Sequence, residues 1–133
     1  MEILQPPGWA KPRGYSNGVA AEGRLVFVAG QVGWNPETCL FETDDFAGQF
    51  RQTLLNTVAV LTAGGAKPEH IVRMTWFVTS KQDYLASLKE IGRAYREIIG
   101  AHYPPMAAIG ITALMEDRAK VEIETTAVVP RAQ

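Results

Sequence analysis

Tyr103-Pro104-Pro105-Met106-Ala107-Ala108-Ile109-Gly110-Ile111-Thr112-Ala113-Leu114, then Met115-Glu116-Asp117-Arg118, then Ala119-Lys120-Val121-Glu122-Ile123-Glu124-Thr125-Thr126-Ala127-Val128-Val129: this stretch decides the fold. Two apolar runs flank a short polar segment, a pattern that predicts a β-hairpin. The second run is rich in β-branched residues. Strands alternate faces with period two, so Val121, Ile123, Thr125, Ala127 and Val129 share one face. Glu122 and Glu124 share the other. Carboxylates inside a β-forming run mark either a solvated face or a site, and the solvated face is the default because surface carboxylates are common.

Working outward, Ile71 to Thr79 is a further strand, with Val72, Met74, Trp76 and Val78 alternating against Arg73, Thr75 and Phe77. Ser80 is a suitable N-cap for the helix that follows, with Asp83 in the capping-box place. Tyr84, Leu88, Ile91, Tyr95 and Ile98 repeat at helical spacing, and Gly100 ends that helix. An earlier helix begins at a cap provided by Thr43 or Asp44 and runs to about Ala63, with Phe46, Phe50, Leu54, Val58 and Leu61 on one stripe. Gly64-Gly65 closes it. Arg24 to Val32 is a near-continuous apolar run and reads as a central strand buried on both faces. Ser16 to Ala21 reads as a short strand. Residues 1–14 hold Pro6, Pro7, Gly8, Pro12 and Gly14 and form an irregular arm on which Trp9 is expected to dock. The order of elements predicts an α+β domain: a mixed sheet with two helices on one face.

The whole chain, 1–133, is expected to be one domain, since 133 residues suffice for one core and not two. Charged residues make up 20% of the chain and the formal net charge is -1, so nothing draws the protein toward nucleic acid or an anionic membrane. No basic cluster of the kind that marks an RNA binder is present. Cys39 is the only cysteine, which excludes an internal disulfide. The Met1 stretch lacks the basic-then-apolar plan of a secretory signal, and no apolar run approaches the ~20 residues of a membrane span. A cytoplasmic protein is expected. His70, His102 and Cys39 are scattered, so no metal site is expected, and without a GxGxxG or P-loop no nucleotide cofactor is indicated.

The final stretch resembles the C-terminal part of the RidA/YjgF family, whose older labels are endoribonuclease L-PSP and translation initiation inhibitor. Tyr103-Pro104-Pro105-Met106-Ala107 and Val121-Glu122-Ile123-Glu124-Thr125 fill the places of that family's Tyr/Phe-Pro-Ala-Arg-Ser/Thr and Val/Ile-Glu-Ile-Glu-Ala segments. Gly14-Tyr15-Ser16, Val28-Ala29-Gly30-Gln31 and Leu54-Leu55-Asn56 extend the resemblance over most of the chain. It implies the chorismate-mutase-like fold, a homotrimer with clefts between subunits, and hydrolysis of enamines or imines with release of ammonia.

The resemblance also implies roles. Tyr15 lines the cleft and Glu122 positions or activates water, which makes these two the candidate catalytic residues. Gly30 lies where backbone approaches the ligand; without the resemblance, a plain bulge explains it as well. Met106 stands where the family's deaminases carry the arginine that holds the substrate carboxylate. Methionine has neither a donor nor a charge. Ala29 replaces a common serine and Ala108 a common cysteine, so the site is less polar. Arg13, beside Tyr15, is the nearest alternative cation in sequence, although a solvated arm residue is its plainer reading. Trp34 offers an aromatic wall, with a core or interface role the commoner use of a tryptophan there. The resulting expectation is a small, fairly apolar ligand in an intersubunit cleft and inefficient hydrolysis of 2-imino acids. The alternatives are a non-catalytic binding or chaperone-like member and, disfavoured by charge, an endoribonuclease.

Overall fold

The computed structural model describes residues 1–132. Its elements are β1 (Glu2–Leu4), β2 (Gly18–Ala20), β3 (Arg24–Val32), α1 (Phe46–Ala63), β4 (Ile71–Val78), α2 (Lys81–Ala86), α3 (Leu88–Ile98), β5 (Met106–Gly110) and β6 (Val121–Val129), with a 3-10 turn at Pro68–His70. The main sheet has the order β3-β6-β4-β5, and β1 and β2 form a separate two-stranded sheet. β6 is antiparallel to both β3 and β4, whereas β5 runs parallel to β4, so the sheet is mixed. The helices pack on one face, giving the α+β plan expected.

Val121, Ile123, Thr125 and Ala127 of β6 point into the core and are almost fully buried. From the helix side they meet Phe50, Leu54 and Leu61 of α1, and from β4 Ile71, Met74 and Trp76. Each large side chain withdrawn from water in this way contributes about 1.5–3 kcal/mol.

The predicted hairpin is not formed. β5 and β6 lie on either side of β4. Parallel strands need a crossover, and α2 and α3 supply it between β4 and β5. Residues 111–120 then carry the chain back past β4. Buried Gln49 anchors that return by donating from Nε2 to the Arg118 carbonyl (2.9 Å) and accepting at Oε1 from the Lys120 N–H (2.8 Å). Alternation in sequence tells which face a residue takes, but not which strand lies beside it.

β3 is an edge strand rather than a central one. Leu25 is 58% and Phe27 71% exposed, while Val28 and Val32 are buried. The run is apolar on both sides because the sheet face opposite the helices is itself partly apolar. The arm also differs from expectation: residues 2–4 pair with 18–20 as strands, and Trp9 is 63% exposed.

Asp45 caps α1, its Oδ2 accepting from Gly48 N–H at 2.8 Å. Thr43 instead accepts from Asp45 N–H, and Asp44 pairs with Arg118 at 2.9 Å. Ser80 caps α2 by accepting from Asp83 N–H. The single helix expected beyond Ser80 breaks at Ser87, whose N–H bonds to the Tyr84 carbonyl while its own carbonyl accepts from Ile91.

Candidate functional site

The candidate residues fall into two groups on opposite faces of the sheet. Glu122 and Gly30 belong to the face away from the helices. The β3–β6 register shifts between Val28 and Gln31, leaving Ala29 and Gly30 in a bulge. The space that a side chain at position 30 would take is filled by Glu122: an added Cβ would lie 2.7 Å from its Oε2. Next to this contact, a shallow cavity of about 400 Å³ is lined by Ala29, Phe27, Arg73, Thr75, Glu124 and Thr126. Bulges re-aim neighbouring groups and bring backbone close to whatever binds there.

Met106, Tyr15 and Arg13 lie together on the helix side. Met106 pairs in register with buried Met74 and therefore shares the core-facing side of the sheet. It lines a cleft of about 680 Å³ between the β5 edge and α3. Arg13, Gly14 and Tyr15 close the cleft from the arm. Gly14 has φ +77°, a left-handed backbone that glycine adopts without strain. Ser16 fastens the arm by donating its hydroxyl to the Tyr103 carbonyl and its N–H to the Pro104 carbonyl.

Aromatic rings form most of the remaining wall. Tyr103 stacks on Tyr95 with centroids 5.5 Å apart and an interplanar angle of 14°. The Tyr95 hydroxyl donates to the His102 carbonyl at 2.6 Å. Burial, and secondarily the neighbouring Tyr103, push the Tyr95 phenol well above its ordinary value. Tyr84, also on the wall, is raised by burial. Trp76 lines the cleft as well; it is only 6% exposed and its Nε1–H has no hydrogen-bond partner among the described residues.

Ala108 faces Trp76 in register on the exposed β5 edge. Trp34 lines neither cavity; its ring lies 5.9 Å from Phe41 and its carbonyl accepts from Asn56 Nδ2. The histidines serve the fold. His70 Nδ1 accepts from Lys67 N–H, and His102 Nε2 lies 2.7 Å from the Ile71 carbonyl. Cys39 is exposed in the β3–α1 loop at φ 59°. Among the described residues no group of three or more His, Cys, Asp or Glu is placed to hold a metal ion. No helix among them is long and apolar enough to cross a membrane.

Sequence reasoning missed the contribution of α3. Leu88, Ile91, Gly92, Tyr95 and Arg96 all line the cleft. Their i, i+3, i+4, i+7, i+8 spacing is a single helical stripe. A glycine and an arginine within an otherwise apolar stripe were the available signal.

The family model described as Endoribonuclease L-PSP matches residues 9–129. The chain is 28% identical over 127 residues to the 2-iminobutanoate/2-iminopropanoate deaminase of Dermatophagoides farinae, covering 96% of this chain and 95% of that protein. Its fold is similar to that of YyfB, a conserved Rid family protein of Yersinia pestis, with TM-score 0.82, 31% identity, and coverage of 96% and 98% of the two chains. It is likewise similar to Escherichia coli TdcF with bound serine, with TM-score 0.70, 30% identity, and coverage of 97% and 98%. The chain therefore belongs to the RidA/YjgF family, the family of the endoribonuclease L-PSP model.

Proposed function

We propose that this protein binds a small, fairly apolar metabolite in a cleft completed by a second copy of the chain, and that it hydrolyses small 2-imino acids poorly. The carrying observation is Met106, an uncharged residue in an aromatic-walled cleft, at the place where the family resemblance expects an arginine. An arginine would clamp a carboxylate by two parallel charge-assisted hydrogen bonds, and methionine makes neither. A flexible, polarizable thioether suits an apolar or aromatic surface instead.

The two-faced distribution supports a shared cleft. Glu122 and Gly30 are separated from Met106 and Tyr15 by the sheet itself. Within one chain they do not reach a common ligand. A neighbouring copy that laid its open sheet face against the β5 edge would join them. Such packing would also cover Leu25, Phe27 and Ile109, which are exposed in the single chain. The homotrimer of the resembled family is the assembly proposed.

In that cleft, an enamine would take a proton at carbon to become the imine, water would attack the C=N carbon, and ammonia would leave. Tyr15 and Glu122 are the groups proposed to move those protons. The test is ammonia release from 2-iminopropionate and from an uncharged imine, beside an arginine-bearing relative. Turnover of 2-iminopropionate equal to that relative's would defeat the proposal. Absence of turnover with either substrate, combined with measurable ligand binding, would assign the cleft to binding alone.

A further inference from the structure

The cleft beside Met106 contains two cations without a countercharge. Arg13 and Arg96 both line it, and neither has a carboxylate within 4.0 Å or a hydrogen-bond acceptor among the described residues. The other arginines near carboxylates behave differently: Arg51 pairs with Glu97 and Arg118 with Asp44. Arg96 has a specific reason to lie over the cleft. Long side chains on a helix lean toward its N-terminus, across the residue one turn earlier. That residue is Gly92, and a Cβ added there would sit 3.4 Å from Arg96 Nη1. The guanidinium thus folds back over Gly92, at contact distance from the place a methyl group would take.

We propose that Arg96, together with Arg13, forms an anion subsite in this cleft, so that its ligands are small carboxylates carrying an aromatic or extended apolar group. This rests on the reading of the cleft as the ligand site. The positive charge comes from α3 and the arm rather than from β5. The carboxylate is accordingly held at the rim, while the apolar body lies against Tyr103, Tyr95 and Met106. Guanidinium groups suit both tasks, because they bind carboxylates through paired donors and stack on aromatic faces.

The experiment is calorimetric titration of the full chain with 3-phenylpropionate and with its neutral amide, 3-phenylpropanamide, at low and high salt. The acid should bind at least tenfold more tightly than the amide, and the difference should shrink as salt is added. Arg96→Gln should weaken the acid about tenfold or more and the amide far less, so that the preference for the acid collapses; Arg13→Gln should produce a smaller loss of the same kind. Equal binding of acid and amide, or an Arg96→Gln protein that still prefers the acid as strongly as the wild type, overturns the anion subsite while leaving the cleft reading intact. A folded wild type that binds neither compound overturns both.

Discussion

The carboxylate of Glu122 occupies the place of the side chain that Gly30 lacks. An added Cβ at position 30 would fall 2.7 Å from Oε2 and 2.8 Å from Cδ of Glu122. The atoms in conflict are the far end of a flexible side chain, so Gly30→Ala should fold and should push the carboxylate away from the β3 bulge. A crystal structure of the variant would show the displacement. An undisturbed Glu122 would remove the link between the bulge and the carboxylate.

Met106→Arg should give a measurable gain in 2-iminopropionate hydrolysis. The methionine lines an open cleft, so a longer unbranched side chain fits without the overpacking cost of a closed core. A clamp of this type is worth about 2–5 kcal/mol, or tens to thousands of fold in rate. The gain should remain below that of a natural deaminase, because Ala29 and Ala108 are unchanged. Adding Glu122→Ala should abolish it. An assembled Met106→Arg protein with no gain would favour the binding role.

Gly92→Ala should stabilise the isolated fold by about 0.5–1 kcal/mol, seen as a rise of a few degrees in Tm. Glycine inside a helix costs conformational entropy, and the new methyl meets only the end of the Arg96 side chain, at 3.4 Å. A bulkier Gly92→Leu should push that guanidinium out of the cleft. Unchanged binding of 3-phenylpropionate by Gly92→Leu would contradict the proposed place of Arg96.

Stability should decline above about pH 10 in a way that depends on Tyr95. Its folded-state pKa lies above the ordinary tyrosine value of about 10, so the unfolded chain loses the proton first. The contribution is therefore fully present below about pH 10 and is lost as pH rises beyond it. Tyr95→Phe should flatten that alkaline slope. At neutral pH it should cost about 0.5–1.5 kcal/mol through loss of the bond to the His102 carbonyl. Urea titrations at several pH values measure both effects.

Sedimentation at micromolar concentration should give a species of three times the 14.6 kDa chain mass. Phe27→Glu, on the open face of edge strand β3 where Phe27 is 71% exposed, should shift the protein toward the monomer. A wild type that sediments only as a single chain would remove the shared cleft.

Most strands and helices of the main layer, and the buried faces of β6 and α1, were legible in the sequence, whereas strand β1, the helix break at Ser87 and the exposed side of β3 were not. Alternation placed Val121, Ile123, Thr125 and Ala127 inside, helical spacing placed Phe50, Leu54 and Leu61 against them, and Ser80 and Gly65 marked helix ends. These are local properties, set by side-chain periodicity and backbone preference over a few residues. The tertiary structure alone decided that β4 separates β5 from β6, that β3 is an edge, and that Met106 and Glu122 face opposite ways. It also brought Arg13 and Arg96, distant in sequence, to one cleft. Strand neighbours and shared cavities depend on contacts between residues far apart in the chain, and a period-two pattern has the same appearance whichever strand lies beside it.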